Sequence, residues 1–332
     1  MHLSRMVVLF TLMQAVGVAA AAADEPALKL VLTIPLDEVK GRIDHLAADV
    51  EGKRLYVAAL ANDTVEVIDL AAGQRIKSIG GLKKPAGIRV LPNSRNVVVA
   101  SGEDGKVRVF SPDLKLLGEV SGLDDADNVR LDPQGKLAYV GYGDGAIAVI
   151  DPEQLKKLGE VKLDGHPESF QLETTGDRIF VNVPTARHVA VIDRRTLTVI
   201  ATHAIGDAAS NFPMAMDEAN HRLFVGCRRP ARVLVLDTES GKMVASVECV
   251  GDADDVFFDA PSKRLYVSGG EGGINVIEQR DADHYNLLET IPTAAGARTS
   301  LYVPETGRLY VTVPSRGGQR AELRVFACGR GP

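Results

Sequence analysis

Two short apolar motifs recur seven times along the chain, and this beat limits what it can fold into more than any other feature. The first is Leu55-Tyr56-Val57, with counterparts starting at Val97, Ala138, Ile179, Leu223, Leu265 and Leu309, in steps of 42, 41, 41, 44, 42 and 44 residues. The second is Val67-Ile68-Asp69. It returns as Val109-Phe110-Ser111, Val149-Ile150-Asp151, Val191-Ile192-Asp193, Val235-Leu236-Asp237, Val276-Ile277-Glu278 and Val325-Phe326-Ala327. A period of roughly 40–45 residues belongs to propeller blades or to helical repeats. Helical repeats need apolar residues at i, i+3, i+4 and i+7 over a dozen positions, and the Gly and Pro punctuation leaves no such segment.

Each unit reads as four short strands. In the first, Asp44 to Asp49 is strand A, Glu51-Gly52-Lys53 a turn, Arg54 to Ala59 strand B, Val65 to Leu70 strand C, and Arg75 to Ile79 strand D. Strands B and C are nearly unbroken apolar runs, as expected of sheets covered on both faces by neighbouring sheets. Aromatic residues make up only 5% of the chain and Trp is absent, so branched aliphatic side chains must fill those interfaces.

The chain ends indicate a closed array. The seventh unit has strands A, B and C (Thr299 to Val303, Arg308 to Val313, Glu322 to Phe326) but no strand D, while Leu28 to Leu36 forms an extra strand ahead of the first unit. Pairing that strand with the last unit closes the ring and removes two sheet edges. The expectation is an all-β, seven-bladed β-propeller of four-stranded antiparallel blades, one domain over residues 24–332.

Residues 1–23 read as a signal peptide: Arg5, an apolar core from Met6 to Val18, then the small residues Ala19 to Ala23. The core is shorter than the roughly 20 apolar residues of a membrane span. An exported, periplasmic or extracellular protein is expected, with no membrane span in the mature chain. The net charge is −6, and removing Arg5 makes it about −7, which disfavours nucleic-acid partners. A monomer is expected. Cys227, Cys249 and Cys328 have no CxxC spacing; Cys227 and Cys249 end strands B and D of one blade, about two spacings of ~4.8 Å apart, beyond easy disulfide reach.

Leu-Tyr-Val-Ala (55–58) and Ala-Tyr-Val-Gly (138–141), each behind a Gly turn, and Leu-Tyr-Val-Ser (265–268), all three ahead of a Val-Ile-Asp-type strand, resemble the YVTN-type (YncE-like) β-propeller repeats of exported bacterial proteins. The resemblance spans Leu28 to Phe326. It departs in two details: the Asn that ordinarily closes the motif is missing from every copy, and Val98 replaces the aromatic residue in the second. It implies a fold and an exported setting, and no single chemistry.

In a propeller, strand A lines the central channel, and the loops before A and between B and C open on one face. Aligned on strand B, the entrances to strand A carry Asp44-His45, Ala86-Gly87, Asp127-Asn128, Glu168-Ser169, Phe212-Pro213 behind Asn211, Asp254-Asp255 and Arg298-Thr299. Four blades thus present a carboxylate at one register. Like charges around a narrow mouth raise one another's pKa unless a cation or an Arg neutralises them. Asp44, Asp127, Glu168 and Asp254 are candidate ligands for a divalent cation, with Asn128, Asn211 and Asp255 as further oxygens suiting calcium. His45 and His166 would favour zinc. The competing reading is a hydrated acidic funnel paired with Arg298. The B–C loops add Arg187, His188, Arg228, Arg229, Arg232, Arg316 and Arg320, an arc read first as ordinary solvated loop charge, with the docking of an anionic small molecule or an acidic protein surface as the functional alternative.

No phosphate loop, haem-attachment motif or Gly-x-Ser-x-Gly elbow is present, and Ser169 and Ser210 have no base assigned by spacing. The expected function is a binding or scaffold protein using the channel face for a small ligand, a cation or a protein partner. A metal-assisted hydrolase of lactonase type is the alternative, and an accessory to a periplasmic dehydrogenase or electron-transfer system the second.

Overall fold

The computed structural model describes residues 26–329, so the expected signal peptide lies outside the described residues. Seven four-stranded antiparallel sheets form the blades. Blade one runs Leu46–Asp49, Arg54–Ala59, Thr64–Asp69 and Gln74–Ile79, from the channel outward. The expected strands B, C and D match within a residue; strand A starts later, at Leu46, for a reason that bears on the site.

Blade seven is composite. Ser300–Val303, Arg308–Val313 and Glu322–Cys328 come from the end of the chain, and Leu28–Pro35 adds the outer strand. That strand is antiparallel to Glu322–Cys328, with Leu28 opposite Cys328 and Pro35 opposite Glu322. Ring closure therefore occurs as the missing seventh strand D implies.

Seven apolar clusters hold the ring, each shared by two adjacent blades. Alternation along strand B explains how one strand serves two of them. Tyr56 and Ala58 pack toward Ile88, Val97 and Val99 of blade two. Leu55 and Val57 pack toward Ile34, Tyr310 and Leu323 of blade seven. Each fully buried side chain of this kind contributes about 1.5–3 kcal/mol of transfer free energy, so the blades are stable as a ring and not singly. Between blades one and two, Arg95 also clasps Asp49 through Nε and Nη2 at 3.0 and 2.8 Å. The turn residue Gly52 makes room for that pair: a Cβ there would lie 1.8 Å from the Arg95 guanidinium.

Every outer strand carries a one-residue bulge, at Val31, Ile76, Leu117, Leu158, Ile200, Val244 and Leu288. Bulges twist an exposed edge away from further pairing. Among the described residues no helix is long and apolar enough to cross a membrane.

Candidate functional site

The entrance of strand A is bulged, and this is why strand A of blade one begins at Leu46. Asp44 N–H donates to Ala58 O at 2.7 Å, and Ala58 N–H donates to His45 O at 3.0 Å, so two residues oppose one. Blade three repeats the arrangement with Asp127 and Asn128 opposite Gly141, and blade four with Glu168 and Ser169 opposite Asn182. In a regular strand, consecutive side chains point to opposite faces; a bulge re-aims one of them. Pairs of neighbours in sequence can thus both face the channel.

Asp44, His45, Asp127, Asn128, Glu168 and Asp254 line one small cavity with Arg42, Ser169 and Phe212. Its volume is about 20 Å³, room for one water-sized particle. His45 Nε2 lies 3.7 Å from Asp44 Oδ1 and 3.9 Å from Asp127 Oδ1. Asp127 Oδ1 and Asn128 Oδ1 are buried without a hydrogen-bond donor among the described residues. Asn128 is 3% exposed.

Blade two makes this convergence possible by contributing almost nothing. Its entrance is Ala86-Gly87, and a Cβ on Gly87 would stand 2.0 Å from the carbonyl oxygen of Asp127 and 2.8 Å from Val129 Cγ2. The missing side chain lets blade three close in until Asp127 meets His45 of blade one.

The carboxylates at the mouth are not equivalent. Asp254 is held by two guanidiniums: Arg298 Nε at 3.0 Å on Oδ2, and Arg228 Nη2 on Oδ1. Arg228 also stacks 3.9 Å over the Phe212 ring, and both Arg residues bridge to Asp252. The expected four-carboxylate set therefore has one member already neutralised. Asp44 divides its oxygens, with Oδ2 facing Arg42 Nη2 at 2.7 Å and Oδ1 facing His45.

Burial dominates the titration of the remaining groups. Desolvation, then the negative charges of Asp44 and Glu168, push the Asp127 carboxyl well above the usual range. Glu168 is raised to about 7, chiefly by desolvation, with nearby His166 opposing the shift and Asp254 reinforcing it. His45 is pushed down to about 3 by burial and then by Arg130 and Arg89, so its imidazole is neutral and free to act as a ligand.

Other residues singled out from the sequence lie elsewhere. Asn211 is fully buried, donating to Asn182 Oδ1 at 2.9 Å and His188 O at 3.0 Å, and fixes strands rather than facing the cavity. His166 turns Nδ1 to Gly143 O at 2.6 Å, outside the lining. Asp255 accepts from the Ser300 N–H at 2.7 Å and faces a deeper cavity. Arg298 belongs to the Asp252 and Asp254 pairs and to a neighbouring cleft with Arg42 and Arg316. Much of the basic arc is engaged: Arg187 with the carbonyls of Asp207 and Ala208, Arg229 with Ser210 Oγ, His188 with Asp164. All three thiols are free, and burial pushes those of Cys227 and Cys249 up to about 12.

Three residues of the channel were not found from the sequence. Arg42 stands two positions ahead of the aligned register. Arg89 and Arg130 stand three positions past it, where alternation counted from the second residue of the bulged pair returns a side chain to the channel.

No protein-family model matches the chain. It is similar to the uncharacterised protein YncE of Salmonella typhimurium, 26% identical over 152 residues, and to that of Salmonella typhi, 25% identical over 152 residues. Each match covers 45% of this chain and 40% of the relative, so the chain spans less than half the length of these curated relatives. Among solved structures, a chain of Kuenenia stuttgartiensis hydrazine synthase superposes with a TM-score of 0.73 at 18% identity, covering 83% of this chain and 94% of that one. A chain of a mitotic checkpoint complex does so at 0.74 and 14%, covering 96% and 99%. At these identities the structural likenesses speak to fold alone. The sequence similarity and the seven-bladed ring together support a YncE-like propeller family.

Proposed function

We propose that this YncE-like propeller is an exported binding module whose channel mouth holds one divalent cation on Asp44, His45 and Asp127. The observation that carries the reading is the convergence of one imidazole nitrogen and two carboxylate oxygens, all within 4.8 Å of one another, on a cavity with room for a single ion. The unbonded Asn128 Oδ1 supplies a fourth acceptor. Metal–ligand bonds of ~2.0–2.2 Å set tetrahedral ligands roughly 3.3–3.6 Å apart, so the His45 spacings of 3.7 and 3.9 Å need close by only a few tenths of an ångström, and the two carboxylate oxygens lie within 4.8 Å of each other. A neutral imidazole in the set favours zinc or another transition metal over calcium. Export rests on Arg5, the apolar run after it and Ala19 to Ala23.

A hydrolase of lactonase type is the second reading, and Glu168 is the observation that favours it. A carboxylate titrating at about 7 on the edge of a metal site has the pKa of a general base for a metal-held water.

Elemental analysis of the purified protein, before and after chelation and reloading, tests the first reading. One equivalent of metal per chain and a melting temperature raised by several degrees on reloading are expected. No retained metal, with no thermal shift from zinc or calcium, would dismiss it. Turnover of a lactone panel that disappears in Glu168→Gln would establish the second reading.

A further inference from the structure

Below the acidic mouth the channel widens into a second cavity of about 310 Å³, at the small end of ligand pockets. It is a separate chamber with the opposite sign of charge. Arg89 and Arg130, from strand A of blades two and three, enter it with Ser169, Gln171 and Asp255, and its walls include Met214, Phe257, Phe258 and Tyr302.

The two guanidiniums differ from the structural Arg residues of this protein. Arg178 bonds Glu173, Glu239 and the Thr238 carbonyl, and Arg222 bonds Asp237, Asp283 and the Ala282 carbonyl. Arg89 donates only to the carbonyl of its neighbour Ile88, at 2.7 Å. Arg130 donates to Val129 O and Ser169 Oγ, each at 3.0 Å, and stacks on Phe170. Among the described residues neither has a carboxylate at ion-pair distance. Each guanidinium offers five N–H donors, most of them here directed at nothing but the cavity. Burial first, and then repulsion from Arg130, push the Arg89 pKa well down, with Asp255 opposing the shift.

We infer that this chamber is a second binding site, for a small organic carboxylate whose head group bridges Arg89 and Arg130 and whose apolar body lies against Met214, Phe257, Phe258 and Tyr302. Arg forks match a carboxylate in plane and in charge. The apolar wall of Met214, Phe257, Phe258 and Tyr302 favours an anion with an apolar body over phosphate, and burial pushes the carboxyl of Asp255 well above the usual range, toward its neutral form. At ~30 Å³ per water, the cavity displaces about ten waters, the size of a ligand with on the order of ten heavy atoms.

Calorimetry and thermal melts with benzoate, benzamide and inorganic phosphate test the inference on the purified protein. Benzoate is expected to bind saturably at millimolar concentration or below and to raise the melting temperature. Benzamide, of the same shape without the charge, should do neither. Arg89→Gln should weaken benzoate at least tenfold, and Lys115→Gln, on an exposed turn, should leave it unchanged. Without ligand, Arg89→Gln should melt at or above the wild type, because it removes one of two facing like charges; a melt far below it would show that Arg89 serves the fold and overturn the inference. Absence of benzoate binding, equal binding of benzamide, or tighter binding of phosphate would each overturn it as well.

Discussion

His45 Nε2 lies 3.9 Å from Oδ1 of Asp127, although the two residues come from blades one and three and a whole blade separates them in the chain. Two local features bring them together. Entrance bulges turn both residues of each pair into the channel, and Gly87 leaves blade two without a side chain between them.

Gly87→Ala therefore tests the geometry without touching a ligand atom. Its Cβ would meet backbone at 2.0 Å, which cannot rotate out of the way. A loss of about 1–3 kcal/mol in denaturant unfolding is expected, as for other overpacked sites, together with zinc affinity at least tenfold weaker. Wild-type affinity in the folded variant would show that the approach of blade three to blade one is irrelevant to the site.

Glu168→Gln should reveal the strain among the mouth carboxylates through its pH dependence. The Glu168 pKa in the folded protein, about 7, lies above the ordinary 4.5, so between those values the folded state holds the extra proton. Its contribution to stability accordingly falls as pH rises through that window and stays low above it. The variant is expected to melt above the wild type at pH 8 and level with it at pH 5. His45, depressed to about 3, acts in the opposite direction, losing stability as pH falls from 6.5 toward 3, and is common to both proteins. An unchanged difference between the variants at the two pH values would refute the assigned shift.

The two clasps on Asp254 should show redundancy. Arg228→Gln or Arg298→Gln alone leaves one guanidinium in place, at 3.0 Å in the case of Arg298. The double variant strands a largely buried carboxylate beside Asp44, Asp127 and Glu168. A loss of about 2 kcal/mol beyond the sum of the singles is expected at pH 8, measured by chemical denaturation. Additive effects would mean that Asp254 is solvated well enough to stand alone.

Removing residues 24–36 should open the ring. The edge of Glu322–Cys328 loses its partner strand, and Ile34 and Leu36 leave the core shared by blades seven and one. Size-exclusion chromatography is expected to show aggregate or higher oligomer in place of the wild-type species. A monodisperse truncation with an unchanged melt would show that closure by this strand is dispensable.

The fold was legible because it is written seven times. Leu-Tyr-Val and Val-Ile-Asp mark strands B and C whatever their context, and the missing seventh strand D required the pairing of Leu28–Pro35 with the end of the chain. The site was legible only in its first tier. Asp44, His45, Asp127 and Glu168 share a register with their siblings, so alignment finds them. Asn211 shares it nearly as well, yet hydrogen bonds to Asn182 and the His188 carbonyl decide its role, and those depend on packing against residues 29 and 23 positions away. The pairing of Asp254 with Arg228 likewise joins the end of strand B, which runs on through Arg229 where the sequence suggested a loop, to the next blade, and no single repeat contains it. Arg89 and Arg130 stand at an odd offset from the register, so period-2 alternation alone passes them over; the extra residue of the entrance bulge is what turns them into the channel.

Whether the channel mouth is a metal site is decided by titrating zinc into the metal-free protein, with His45→Gln and Asp127→Asn alongside. One site per chain is expected, with at least tenfold weaker binding in each variant, and tighter binding at pH 8 than at pH 6 with a proton released, since the Asp127 carboxyl must give its proton up to bind the metal. Zinc binding of equal strength in the wild type and both variants, or none in any of them, would contradict the metal site.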